Sequence, residues 1–283
     1  MDLGTLPEES ARLIRTAHEH LPPDLAEQWT GLLRPTLKFR HGDDADPAVA
    51  HRGGEPLMPP DMPWPTWDGE GPLSLIAGFD LGALPRGNLN LPDSGLLYFF
   101  LFDGQVCEST MPSLDGVPEA HRVLHIPAGT TVRRRTPPDV LRPVSAEPLT
   151  VSVEFTAPSQ ASHVLEDQFD TTDARVSEAL YDGDFHDALD LWEHLDHQLG
   201  GYPFSPQNPS LWDIVGDESL QTGPGQLEAW QAECRQWLTL AQFPPDYRSA
   251  LWCSDTGYRY WYIRREDLDA RRFDRAAFAW QDT

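Results

Sequence analysis

Three polar residues spaced along one predicted helix are the strongest candidates for metal chemistry. Asp190, His194 and His197 stand at i, i+4 and i+7, which places all three on one stripe of a helix. Two imidazoles and a carboxylate can bind zinc or another divalent ion and leave one coordination position open. This pattern predicts a metal-dependent enzyme. The alternative is the solvated face of an amphipathic helix, with histidines near its C-terminus that interact favourably with the helix dipole.

A loop motif that occurs twice in the chain gives a second candidate site. The segments HRGGEPLMPPDMP (51–63) and HQLGGYPFSPQNP (197–209) both contain Gly-Gly-x-Pro-x-x-Pro behind a histidine. If the two loops approach each other, they form a cleft for a small molecule or a peptide, because ligands often bind at interfaces between units. In the alternative interpretation the loops only close the fold, since paired glycines allow positive φ and close backbone approach. The predicted cleft residues are His51, Gly53, Gly54, Trp64, His197, Gly200, Gly201, Gln207, Asn208 and Trp212.

The hydrophobic pattern predicts the elements that would position these residues. Apolar spacing near 3.6 predicts an N-terminal helical segment over residues 7–33 and a second helical region over 162–199, which would end at the second double glycine. The apolar runs at 73–79 and 96–102 predict buried strands.

Three pairs of similar segments, which occur in the same order in both halves of the chain, predict an internal duplication. The double-glycine motif is followed by LSLIAGF in one half and LTLAQF in the other, and then by SGLLYFF at 94–100 and TGYRYWY at 256–262. We therefore expect a single domain with pseudo-repeats over about residues 40–160 and 161–283. The expected fold class is α+β, in which two related α+β repeats with antiparallel strands and flanking helices pack as one compact unit.

Four segments together resemble the YwqG-like family of bacterial proteins, a family of unknown function. They are RGGEPLMPPDMPWP, SGLLYFFLFD, HQLGGYPFSPQ and TGYRYWYIRREDLDARRFDRAAFAWQ, and the resemblance extends over about residues 37–281. It implies an α+β fold with two related halves, and it implies no established chemistry.

The charge balance restricts the classes of partner. A formal net charge of −24 over 283 residues repels nucleic acid and anionic membrane surfaces, so neither is expected as a partner. The negative charge either only keeps the protein soluble or forms an acidic face that binds a basic protein. A toxin nuclease that is neutralised by an immunity-type protein would be such a partner. The first residues lack a basic and apolar leader, and Cys107, Cys234 and Cys253 are widely spaced, which predicts a cytoplasmic protein.

Motifs for several common reactions are missing from the sequence. It contains no GxSxG nucleophile motif, no Walker A loop and no GxGxxG dinucleotide loop, and it indicates no cofactor. We therefore interpret the chain first as a cytoplasmic binding or interaction protein without catalysis, whose partner is a basic protein. A small-ligand sensor with a cleft between the repeats and a metal-dependent enzyme are the two alternatives.

Overall fold

The computed structural model describes residues 6–42, 48–105, 114, 117–160, 162–182, 184–189, 196–217, 220–221, 223–245 and 257–281. Within these ranges the main element is an antiparallel sheet of ten strands. The strands of the chain are β1 (Arg34–His41), β2 (Ala50–Arg52), β3 (Leu57–Met58), β4 (Thr66–Trp67), β5 (Gly71–Pro72), β6 (Ser74–Asp80), β7 (Leu96–Leu101), β8 (His121–Ile126), β9 (Arg133–Arg134), β10 (Glu147–Thr156), β11 (His197–Leu199), β12 (Trp237–Phe243), β13 (Tyr258–Arg264) and β14 (Ala277–Gln281). The α-helices are α1 (Glu8–His20), α2 (Pro23–Thr30), α3 (His163–Gln168), α4 (Ala174–Ser177), α5 (Phe185–Leu189), α6 (Trp212–Val215), α7 (Gln226–Cys234) and α8 (Arg265–Asp269).

The predicted fold class, two α+β repeats with flanking helices, is wrong. The order of the large sheet is β14-β13-β12-β11-β1-β10-β2-β6-β7-β8, with small pairs β3–β9 and β4–β5 beside it. Among the described residues, helices other than α1, α2 and α7 have six residues or fewer. A single sheet forms because β1 pairs with β10 on one side, from Arg34↔Thr156 to His41↔Leu149, and with β11 on the other, so that the strands of both parts share one hydrogen-bonded sheet.

Aromatic contacts show that this sheet curls until strands far apart in its order meet on one face. Phe99 on β7 and Trp261 on β13 have ring centroids 5.3 Å apart. At the two edges of the sheet, the ring of His121 on β8 lies 5.6 Å from the ring of Phe278 on β14. The curled inner face therefore encloses one apolar core, to which strands from both parts of the chain contribute.

The N-terminal helices cover the outer face at the middle of the sheet. α1 and α2 are found within the predicted helical segment, and they bury apolar residues of which Leu13 and Trp29 are examples. These residues form a second core with α3, α4 and α5, in which Trp29 packs edge-on against Phe185 at 5.0 Å between centroids. The N-terminal segment is thus an integral layer over β1 and β10.

The strands directly before and after the two double glycines occupy the same order on the two sides of the sheet. One side runs β2-β6-β7-β8 and the other β11-β12-β13-β14. β6 has a bulge between Leu75 and Ala77, and β12 has one between Thr239 and Ala241, and such bulges increase local twist. β1, however, precedes β2 in the chain and pairs with β10 and β11 instead. The pseudo-repeats stay a prediction.

Both double glycines are required by the backbone around them. Gly53, Gly54, Gly200 and Gly201 all have positive φ, between 57° and 83°. A Cβ on Gly54 would lie 2.8 Å from that of Ala146, and a Cβ on Gly201 would lie 2.4 Å from the Thr156 hydroxyl oxygen. The loops therefore pack backbone directly against neighbouring strands, which only residues without a side chain permit.

We expect Gly201→Ala to lower the free energy of unfolding by about 2–4 kcal/mol, because it combines left-handed backbone strain with a collision against buried strands. Gly129→Ala is the matched control. Gly129 also has a positive φ, of 80°, but a Cβ there would have nothing within 4 Å, so only the cost of strain, about 1 kcal/mol, is expected. Urea denaturation of both variants measures the difference, and equal losses would contradict the close packing at Gly201.

Candidate functional site

The predicted metal-binding residues fall partly outside the described residues. Asp190 and His194 lie there, so their part of the site stays a prediction. The helix predicted to run to residue 199 is wrong at its end, because His197–Leu199 form strand β11. Pairing of β11 with β1 and β12 overrides the helical spacing. No group of three or more His, Cys, Asp or Glu residues that could hold a metal occurs among the residues the structure describes.

The two predicted histidines of the cleft occupy different surroundings. His51 on β2 lies 2.7 Å from the Gly53 carbonyl oxygen through its Nδ1, and burial lowers the pKa of this histidine. The buried His197 lies three strands away in the sheet, and its Nε2 is 3.1 Å from a guanidinium nitrogen of Arg52. Arg52, next to His51 in sequence, thus connects β2 to β11 through the core.

The two double-glycine loops also line different cavities. Gly53, Gly54 and Trp64 border a small cavity of about 20 Å³, whereas Gly201 and Trp212 border one of about 310 Å³. The Trp64 indole donates to the Leu73 carbonyl oxygen at 2.8 Å, as expected of a packed structural residue. Gln207 and Asn208 are exposed, and the Asn208 carbonyl oxygen accepts a hydrogen bond from Gln281.

The cavity of about 310 Å³ has the lining of a binding site, and we call it the arginine cavity after Arg34, Arg235 and Arg265. It lies on the outer face of β12 and β13. Its walls come from the start of β1, Ser159 and residues 162–167 around α3, residues 201–212 after the second double glycine, residues 235–239, and Tyr262. Its volume falls in the range of about 300–1,000 Å³ that small-molecule sites occupy.

The second double glycine places the aromatic base of this cavity. Gly201 packs against Thr36 and Thr156, and the following Tyr202 donates its N–H to the Thr156 hydroxyl at 2.8 Å. The Tyr202 hydroxyl donates to the Leu32 carbonyl oxygen at 3.0 Å, so its buried ring is held at both ends. The Arg34 guanidinium lies 4.3 Å above the centroid of this ring. Such a cation–π contact is worth about 0.5–2 kcal/mol and orients the arginine.

A chain of hydroxyl groups forms another wall of the arginine cavity. Ser205 donates to the Ser210 hydroxyl at 2.9 Å, and the Ser210 hydroxyl lies 2.6 Å from the Tyr262 hydroxyl. Burial raises the pKa of Tyr262, so this phenol stays neutral at physiological pH. Ser210 and Tyr262 are buried, and the half-buried Ser205 hydroxyl can hydrogen-bond to a ligand. Leu211, Trp212 and other apolar residues beside them offer contacts for rings or methylene groups.

The charges of the cavity lining are predominantly positive. Asp167 on α3 pairs with Arg235 at the end of α7 through two hydrogen bonds, of which the one from Nε is 2.8 Å long. This bonding lowers the pKa of Asp167, so the carboxylate is ionised. Among the described residues, Arg34 and Arg265 form no ion pair with a carboxylate. Burial lowers the pKa of His163, which keeps its imidazole neutral at pH 7.

Sequence reasoning missed most residues of this cavity. Tyr202 and Tyr262 stand inside the repeated motifs, so their positions carried a signal that was interpreted only as architecture. Arg34 and Arg235 had no such signal, because they come together only when β1 and α7 are placed beside the loop after Gly201.

Comparison with known proteins assigns the chain to a protein family. The model of DUF1963, a domain of unknown function, matches residues 51–281, which is most of the chain. The chain belongs to the DUF1963 family. All residues that line the arginine cavity lie in the matched range except Arg34. No curated protein matches the chain. Within the part of the chain that the structure describes, no helix combines the length and apolarity needed to cross a membrane.

Proposed function

We propose that this DUF1963 protein binds a small molecule in the arginine cavity. The observation that supports this proposal is the convergence of distant segments on a cavity of about 310 Å³ with both aromatic and hydrogen-bonding walls. Sites for small molecules combine mostly apolar surface with a few well-placed polar groups. Here Trp212 and Trp237 supply the apolar surface, and the half-buried Ser205 hydroxyl supplies hydrogen bonds.

The proposed role is binding without catalysis. A serine nucleophile needs an adjacent base that takes its proton. The Ser210 hydroxyl is instead bonded to the hydroxyls of Tyr262 and Ser205, and neither of these acts as a base at physiological pH. This arrangement favours a binding protein or sensor over an acyl-transfer enzyme.

Binding of a basic protein is a second candidate function, which the net charge of −24 favours. Such a complex, with an immunity-type role, would weaken at high salt because exposed charge pairs are screened. We also propose the narrower YwqG-like family and a cytoplasmic location. The repeated glycine-proline motif supports the family, and the buried free thiol of Cys234 is compatible with a reducing compartment.

Ser159→Trp is expected to abolish ligand binding in the arginine cavity, because it places a bulky ring at a half-buried position of the lining. The measurement is saturation-transfer NMR with a library of small aromatic and polar fragments. Ser177→Trp, at a half-buried position on α4 outside this cavity, is the matched control and should keep the fragment signals. Fragments that bind both variants as well as the native protein would contradict the proposed site.

A further inference from the structure

We propose that the ligand of the arginine cavity is an anion, a small molecule with a carboxylate or phosphate group that Arg34 and Arg265 hold. This inference rests on the proposed function and specifies its ligand class. Three arginines and one aspartate line the cavity, so its formal charge is positive in a chain whose net charge is −24. A positive cavity in a protein of negative net charge is consistent with the binding of an anion.

The positive charge of the cavity is available to a ligand. Asp167, the carboxylate of the lining, is bonded to Arg235, which leaves the charges of Arg34 and Arg265 without a carboxylate among the described residues. The distant acidic surface weakens anion binding little, because charges more than about 8–10 Å apart are largely screened at physiological ionic strength. Local arginines therefore decide which charge the cavity accepts.

Arg34 is oriented in advance for anion recognition. Its guanidinium carbon lies 4.3 Å from the centroid of the buried Tyr202 ring, which is itself held by hydrogen bonds at its hydroxyl and its backbone N–H. The guanidinium carries five N–H donors, and a pair of them suits carboxylate and phosphate oxygens. A half-buried position makes these bonds stronger than at the open surface.

Arg265 lies at the cavity rim, where its backbone is anchored. It is the first residue of α8, directly after β13, and its backbone N–H donates to the Gln236 carbonyl oxygen at 2.9 Å. Its exposed side chain can reach an entering anion before Arg34 does. Cations are disfavoured, because Asp167 is already engaged by Arg235.

The rest of the ligand is predicted to be apolar or aromatic. Trp212 and Trp237 line the same cavity, and the volume of about 310 Å³ limits the ligand to a compact molecule. Phenyl phosphate and phenylacetate are therefore suitable probes, and phenylacetamide is the neutral counterpart. The two anions distinguish a phosphate ligand from a carboxylate ligand.

Isothermal titration of the full chain with these three probes tests the inference. At least one anion is expected to bind ten-fold or more tightly than phenylacetamide, and its affinity should fall as sodium chloride is raised. Arg34→Gln should weaken the better anion about ten-fold or more and leave phenylacetamide unchanged. Arg34→Lys keeps the charge without the planar fork and should recover part of the affinity. Arg15→Gln, on the exposed face of α1, is the matched control and should bind as the native protein does.

The outcomes separate the inference from the proposed function. Phenylacetamide binding as tightly as both anions, with no effect of Arg34→Gln, would overturn the anion inference and leave small-molecule binding intact. Anion binding that persists in Arg34→Gln and in Arg265→Gln would also overturn it. Failure of all probes and of the fragment library would instead contradict the proposed function itself. A thermal melt of each variant confirms that the fold is retained.

Discussion

Trp261→Ala is expected to lower the free energy of unfolding by about 3–5 kcal/mol, the range for aromatic truncation in a core. The Trp261 ring is fully buried and lies 4.9 Å from Phe278, 5.3 Å from Phe99 and 5.5 Å from Phe243, between centroids. These rings belong to four different strands, so the substitution opens a cavity where the curled sheet meets itself. Urea denaturation monitored by circular dichroism measures the loss.

Trp261→Phe is the informative companion variant. The indole Nε1 of Trp261 is buried without a hydrogen-bond partner among the described residues, so phenylalanine removes an unsatisfied donor together with some volume. Its cost should be well below that of alanine. Trp67→Ala is the second control, because the half-buried Trp67 packs on Phe102 away from this junction. A loss at Trp261 no larger than at Trp67 would contradict the closure of the sheet.

Lowering the pH from 7 to 4 is expected to destabilise the protein, with His121 contributing up to about 3 kcal/mol. Burial, assisted by the charge of Arg122, lowers the pKa of His121 to about 4. The unfolded chain, with an ordinary histidine pKa near 6.5, then binds the proton more readily than the folded chain throughout this interval. Stability is therefore fully present above about pH 6.5 and is lost progressively down to about pH 4.

His121→Phe should flatten this pH dependence, because phenylalanine can pack against Phe278 and binds no proton. Some slope should persist, since burial also lowers the pKa values of His51 and His163. His20→Phe, at an exposed position, is the matched control and should retain the full slope. The readout is the free energy of unfolding by urea at several pH values. An unchanged slope in His121→Phe would contradict the assignment.

The local hydrophobic pattern was sufficient to predict strands that are apolar on both faces. The runs at 73–79 and 96–102 form β6 and β7 as predicted, because strands with apolar residues on both faces are recognisable alone. The helical spacing gave a wrong prediction at residues 197–199, which form strand β11. Leu199 instead pairs with Leu37, a residue far away in sequence, and such pairing is invisible to local periodicity.

The fold class failed for the same reason at a larger scale. The pairing of β1 with β11 spans more than a hundred residues and joins the strands of both parts into one sheet. The prediction of a shared binding cleft was limited in the same way, because local motifs do not show which loops meet in the fold. The double glycines were recognised, but their loops border separate cavities. Arg34, which supplies part of the positive charge of the larger cavity, lies outside both motifs.

Fluorine NMR on protein labelled with 5-fluorotryptophan tests binding in the arginine cavity most directly. The chain has 10 tryptophans, of which Trp212 and Trp237 line this cavity, and single Trp→Phe variants assign their resonances. Titration with phenyl phosphate or phenylacetate is predicted to shift the Trp212 and Trp237 resonances, with at most a small effect on Trp230, which packs against Trp212. Shifts confined to Trp64 and Trp67 beside the first double glycine, or no shift at saturating probe, would contradict the proposed site.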